Sequence, residues 1–182
     1  MKPPKILKFI LVGYFFAQII EFQFNILVGH TYGNWIFTLI AYPAGLAVAY
    51  WVNQALDKIL KNKKVADLLY YIVMTSVGLF GIEWAVIGHT PWQSPDANQL
   101  GMWSFWAAVF FMPRVFIDPR PTVASLKKKI VRYMVGYTIL TLGLGVLIPH
   151  PFNMIPIIWG EIIGYTLLHW FYWQYINIKT GR

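Results

Sequence analysis

Six apolar runs divide this chain, and all 15 lysines and arginines fall in alternate gaps or in the ends of the runs that border those gaps. A membrane-crossing helix needs about 20 mostly apolar residues. Inside the bilayer its backbone polar groups must be bonded within the segment. The chain therefore reads as an all-α integral membrane bundle of six transmembrane helices, over about residues 6–28, 34–56, 67–88, 100–117, 130–148 and 154–178. With 12% charged residues it carries about half the charge of a soluble domain. Its 182 residues leave room for a single transmembrane domain, 1–182, and no appended soluble one.

The cations set the orientation. Lys2, Lys5 and Lys8 precede the first run, and Lys58, Lys61, Lys63 and Lys64 separate the second and third. Arg114, Arg120, Lys127, Lys128, Lys129 and Arg132 lie between the fourth and fifth, and Lys179 and Arg182 follow the sixth. The other connections have none. By the positive-inside rule both termini are cytoplasmic and the cation-free turns face outward. The net charge of +8 is thus a matter of topology, and no nucleic-acid partner is expected. The first run continues to about Val28 without a small-x-small cleavage pattern, so it is expected to be an uncleaved helix. Trp35, Trp92 and Trp103 mark the outer boundary and Trp51 and Trp173 the inner one, as belt residues do. Trp84, Trp106, Trp159 and Trp170 fall deeper.

Against this apolar background the glutamates stand out. Glu21 lies roughly 12 Å below the outward end of its helix at Gly29, counted at the α-helical rise. Glu83 lies roughly 8 Å below Gly88, and Glu161 roughly 10 Å from Met154. All the glutamates of the chain thus fall in one layer of the outer half. A lone intramembrane carboxyl is equally well explained as an interhelical hydrogen-bond donor. Several at one depth weigh toward function. Gln18, Glu21 and Asn25 form one helical stripe, and Glu161 and Tyr165 another. Such stripes turn into a bundle or a wet cavity, so a carboxylate-lined pocket opening outward is expected. His30, His89 and His150 sit at its outward turns, where a histidine is most simply a solvated turn residue. His169 is expected to make an interhelical hydrogen bond. Asp57 and Asp67 are expected to be solvated, and Arg114 and Asp118, at i and i+4, to pair. Gly78, Gly81, Gly143, Gly145, Gly160 and Gly164 are expected to let helices approach closely.

No cysteine is present, and no His-Glu-x-x-His, Gly-x-Ser-x-Gly, phosphate-binding loop or haem-attachment motif occurs. No metal or other cofactor is expected. The region of about residues 79–125, with its glutamate-bearing span, MWSFW and FFMPRVFIDPRP, resembles small Trp-rich multi-pass proteins of bacteria. That resemblance implies the cytoplasmic (inner) membrane of a bacterium. The placement of carboxylates in a small bundle is also similar to membrane-embedded terpene cyclases and sterol isomerases, though no motif of theirs is matched and no role is carried over.

These residues support acid/base chemistry on a hydrophobic, lipid- or isoprenoid-like small molecule taken from the membrane lipid. Glu83 and Glu161 would be the acid and base, with Glu21 and Asn25 orienting them. Trp84, Trp159 and Tyr165 would line the substrate site or stabilise a cation. A proton- or cation-coupled transporter or channel uses the same glutamates, with Pro43 and Gly45 breaking the second helix, and needs a homodimer for its pathway. A non-catalytic membrane subunit or assembly factor needs the polar groups for packing alone.

Overall fold

The computed structural model describes residues 4–94 and 98–181. Lys2, Arg182, Pro95 and Asp96 lie outside the described residues. Among those described, all regular structure is helical, and six helices are long and apolar enough to cross a membrane. They are α1 (Lys5–Val28), α2 (Tyr32–Ile59), α3 (Lys63–Ile87), α4 (Gln99–Ile117), α5 (Pro121–Leu147) and α6 (Met154–Thr180). Two begin well before the apolar run they contain. Asn62 caps α3, its side chain accepting from the Lys64 and Val65 amides. Pro121 opens a first turn that continues into α5 through Lys127–Lys129. Apolarity ends where lipid ends, but a helix ends at its cap, and lysine is a good helix former.

The sequence of α4, QLGMWSFWAAVFFMPRVFI, is apolar on every face. A helix of that kind belongs at the centre of a bundle. Its spanning window is 72% buried, against 17–39% for the others. Helices α1, α3 and α6 pack directly on it, and contacts running α1–α2–α3–α6–α5 and back to α1 close a ring around it. The ring is thinnest between α1 and α5. These helices touch at Gln23–Val28, where Gln23 donates to Thr141 at 2.9 Å. Nearer the basic loops they part, leaving an apolar groove of about 280 Å³ walled by Leu11, Phe15 and Met134 and reaching Phe116 of α4.

Small residues set the close approaches. A Cβ on Gly13 would meet Leu46 of α2 at 2.3 Å and the Val109 carbonyl of α4 at 2.9 Å. Gly78 seats the Trp106 ring, Gly160 and Gly164 face Tyr137, and Gly145 faces Ile157 and Leu27. Gly143 meets nothing and Gly81 only its own helix, so those two serve no helix contact. Pro43 lies inside an unbroken α2.

The end of the bundle that carries the lysine-rich connections departs from expectation. Arg114, on the central helix, is buried, with 3% of its surface exposed. Its Nη2 donates to Asp67 of α3 and, at 3.1 Å, to Asp57 of α2. Its guanidinium lies over the Tyr70 ring, 4.6 Å from the centroid. Lys179 of α6 reaches Asp67 at 2.9 Å. Asp67 is therefore fully buried rather than solvated, and Asp57 is a third exposed. The expected Arg114–Asp118 pair does not form. Past Pro119 the chain folds Arg120 back onto Asp118, with contacts of 2.6–3.1 Å. The physical reason is burial: a guanidinium in the bundle core needs a buried counter-ion, and the early start of α3 delivers Asp67 to it.

Removing one partner of such a pair leaves an uncompensated buried charge, at a cost of about 3–5 kcal/mol. Asp67→Asn is expected to lower stability by an amount in that range, measured by thermal unfolding in detergent. Asp57→Asn, at the exposed edge of the cluster, is expected to cost less.

Candidate functional site

Glu21, Glu83 and Glu161 sit on α1, α3 and α6 toward the end opposite the lysine-rich connections. In each helix the α-helical winding gives way to a π-helical segment at or beside the carboxyl: Gln23–Val28, Val77–Ile87 and Glu161–Tyr165. Such i→i+5 segments are rare and frequently mark functional sites. Three ring helices widen at one level, and each carries a glutamate there.

The carboxyl of Glu21 accepts from the Tyr42 hydroxyl on α2 and from Asn25 Nδ2 at 2.7 Å. Asn25 in turn accepts from Thr31 at 2.9 Å. Gln18 accepts from Trp35 at 3.0 Å. The polar stripe of α1 is thus turned toward α2 and its connecting turn. Glu83 is buried, and each of its oxygens has a partner. Oε1 accepts from Trp106 Nε1 at 2.9 Å, and Oε2 stands 2.9 Å from His89 Nδ1. Glu161 is buried and accepts from Asn98 at 3.1 Å. Asn98 also caps α4 by accepting from the Gly101 amide at 2.9 Å. Gly101 leaves room for the Asn98–Glu161 bond, since a Cβ there would lie 2.0 Å from Asn98 Nδ2 and 2.7 Å from the Glu161 carboxyl and displace both.

These groups form one layer. The Tyr42 and Trp106 rings stack with centroids 5.5 Å apart and planes 26° off parallel. The sequence Asn25–Glu21–Tyr42–Trp106–Glu83–His89 therefore crosses α1, α2, α4 and α3 without interruption. Glu161 joins from α6 through Asn98, the residue that caps α4.

The other expected site residues are more scattered. Tyr165 is fully buried against Phe105 and Tyr137, and its hydroxyl donates to the Phe16 carbonyl at 2.6 Å. Trp84 donates to Gln99 at 2.8 Å and packs with Phe80 and Trp92. Trp159 is 58% exposed on the outside of the bundle, apart from the layer. His169 makes its interhelical bond to Tyr71 at 2.9 Å. His30 and His150 lie near one another, ring centroids 6.5 Å apart, with no carboxyl bonded to either. Among the described residues no group of three or more His, Asp or Glu side chains could hold a metal ion. Neither the α1–α5 groove nor the cavity at the lysine-rich end has a glutamate in its wall.

Four members of the layer escaped sequence reasoning. Tyr42 and Trp106 fall at the depth of the glutamates, and that depth is the signal that finds them. Asn98 caps α4 through its Oδ1 and bonds Glu161 through its Nδ2. His89 reads as a plain turn residue. Six residues past Glu83 it belongs on another face of a straight α-helix. The π-helical winding and Gly88, at φ 87°, turn the chain back so that the His89 amide also donates to the Glu83 carbonyl at 2.9 Å.

The fold and the layer define a protein whose six helices are long and apolar enough to cross a membrane, with glutamates of three ring helices converging on the central one. Comparison with protein-family models, with characterised proteins and with solved structures finds no match to this chain.

Trp106→Phe leaves Glu83 Oε1 without its donor, at an expected cost of about 1–3 kcal/mol in stability. Gly78→Ala is expected to act in the same direction, since its Cβ would lie 2.4 Å from Trp106 Cγ. Thermal unfolding in detergent measures both. Combining Trp106→Phe with Glu83→Gln should cost less than the sum of the single changes, and strict additivity would show that the bond is not made.

Proposed function

We propose that this chain is a multi-pass protein of the bacterial cytoplasmic membrane in which the glutamate layer performs acid/base chemistry on a hydrophobic, lipid- or isoprenoid-like molecule. In this reading the lysine-rich end and both termini face the cytoplasm, as the positive-inside rule requires, and the layer lies in the outer half of the bilayer. The observation that carries the proposal is the Glu83–His89 contact. A buried carboxyl is bonded to an imidazole whose side chain is 45% exposed at the helix end. Imidazole can take a proton on one nitrogen and release it from the other. His89 thereby gives the layer a proton contact with the outer aqueous phase.

Within the layer, Glu83 transfers the proton to or from the substrate and Glu161, also buried, serves as its counterpart. Glu21, held by Tyr42 and Asn25, orients the set. The π-helical turns suit this role, since a locally widened helix repacks more easily than a regular one. Tyr165, Phe105 and Tyr137 supply aromatic faces beside the layer, suited to an apolar or cationic intermediate. The hydrophobic small molecule is the partner this reading requires, with the surrounding lipid as its source. The same His89–Glu83 contact also favours a second reading, proton- or cation-coupled transport, in which a second copy of the chain completes the pathway.

Mass spectrometry of small molecules co-purified with wild type and with Glu83→Gln tests the proposal. A hydrophobic compound enriched with wild type and lost or chemically altered with Glu83→Gln is the expected result, and His89→Ala should change it in the same direction. An identical profile in all three removes Glu83 from any binding or chemical role. Proteoliposomes that dissipate an imposed pH gradient in a Glu83-dependent way would move the assignment to transport. With neither result, the layer is a packing device of a non-catalytic membrane subunit.

A further inference from the structure

The groove between α1 and α5 has a buried floor and open lips. Phe16, Ile130 and Met134 form the floor, with half-buried Phe116 of α4. Leu11 and Phe15 on one side, and Val131 and Val135 on the other, are each about half exposed. The groove therefore opens sideways, toward the lipid around a membrane-spanning bundle. Lys8 apart, every residue of its wall is apolar. Water finds no partners there, and an empty groove would forfeit the dispersion contacts of its whole lining. Its filling has to be apolar.

Size decides between a helix and a single chain. On α1 the groove runs from Lys8 to Phe15, roughly 10 Å at the helical rise. A helix of that length, about 10 Å across with its side chains, would fill roughly 800 Å³. The groove holds about 280 Å³. A methylene fills close to the ~30 Å³ of a liquid water, so the space suits a chain of roughly nine carbons.

Charge identifies what that chain is attached to. Both walls end in lysine at the same end of the groove. Lys8 belongs to the wall itself, three and four residues before Leu11 and Val12. On α5, Lys127 and Lys128 stand three residues before Ile130 and Val131, one turn nearer the basic end. Among the described residues none of these lysines forms an ion pair. Lys127 bonds the neutral carbonyl of Asp118, whose carboxyl is taken by Arg120. Lys8 and Lys128 are exposed, as cations that meet a headgroup at the membrane surface must be.

We propose that the α1–α5 groove binds one acyl chain of an anionic phospholipid from the leaflet at the lysine-rich end, with its headgroup on the lysines that end both walls. The apolar groove holds the chain, and the lysines select the charge.

Native mass spectrometry of the full chain in neutral detergent tests this, with phosphatidylglycerol and phosphatidylcholine of identical acyl chains as probes. Wild type is expected to retain phosphatidylglycerol in preference to phosphatidylcholine. Val131→Trp, which fills the groove from a half-exposed lip, should cut retention of phosphatidylglycerol at least tenfold. Leu11→Trp fills it from the other wall and should do the same, so a folding defect in one variant leaves the other as the test. Lys8→Gln and Lys128→Gln should each reduce the preference for phosphatidylglycerol about fivefold, the effect of one surface cation. Ile40→Trp, exposed on α2 away from the groove, should change nothing. Equal retention of the two lipids by wild type overturns the proposal, as does retention indifferent to both tryptophan variants. A dimer of the chain that Val131→Trp dissociates, with no retained lipid, overturns it in favour of a second copy on this face.

Discussion

A charge buried on the helix at the centre of a bundle must find its counter-ions on the neighbouring helices, and Arg114, 3% exposed, is such a charge. Lysines nearer the lipid can extend their stems toward the headgroups. Arg114 must be neutralised where it stands. Asp67 does this from α3, Lys179 bonds the same carboxyl from α6, and Asp57 adds a contact from α2. One buried cation thus fixes three ring helices against the axis. Because Asp67 lies only four residues into α3, it also explains why that helix must start where Asn62 caps it, ahead of its apolar run.

The same constraint acts at the other end with the sign reversed. Glutamates in the bundle interior need donors, and each finds at least one on another helix or in a turn beside one. Tyr42 crosses from α2, Trp106 from α4, and Asn98 reaches over from the cap of α4. The central helix therefore binds carboxylates at one end and presents a guanidinium at the other. Its apolar middle, packed at Ala107, Ala108 and Val109 with essentially no exposure, keeps the two clusters apart.

The spans were legible in the sequence because transfer from water to hydrocarbon depends on composition, and α1, α2, α4 and α6 end within a few residues of the expected limits. The depth of the glutamates was legible for an equally simple reason, the fixed rise of a helix. The order of helices around α4 was not. In a soluble helix the apolar face identifies the buried one, but lipid is as apolar as a neighbouring helix. Ile36, Phe37 and Ile40 are exposed, while Phe9 and Phe16 are buried, with no difference in residue type to tell them apart. Asp67 was misplaced because its neighbours in sequence are lysines while its neighbours in space are Arg114 and Lys179. His89 lies at the turn where it was expected, and its contact with Glu83 was not legible because α3 is π-helical from Val77 to Ile87.

Taken together, the two ends leave unequal remainders. Every lysine and arginine of the sequence lies outside the layer, so its three carboxyls face a single bonded imidazole. On α3 that chain of contacts ends at His89, whose side chain is 45% exposed. At the lysine-rich end the chain supplies its own counterparts: Arg114, Lys179 and Arg120 are matched by Asp57, Asp67 and Asp118. Interior charge in a membrane protein is too costly to persist without such a counterpart.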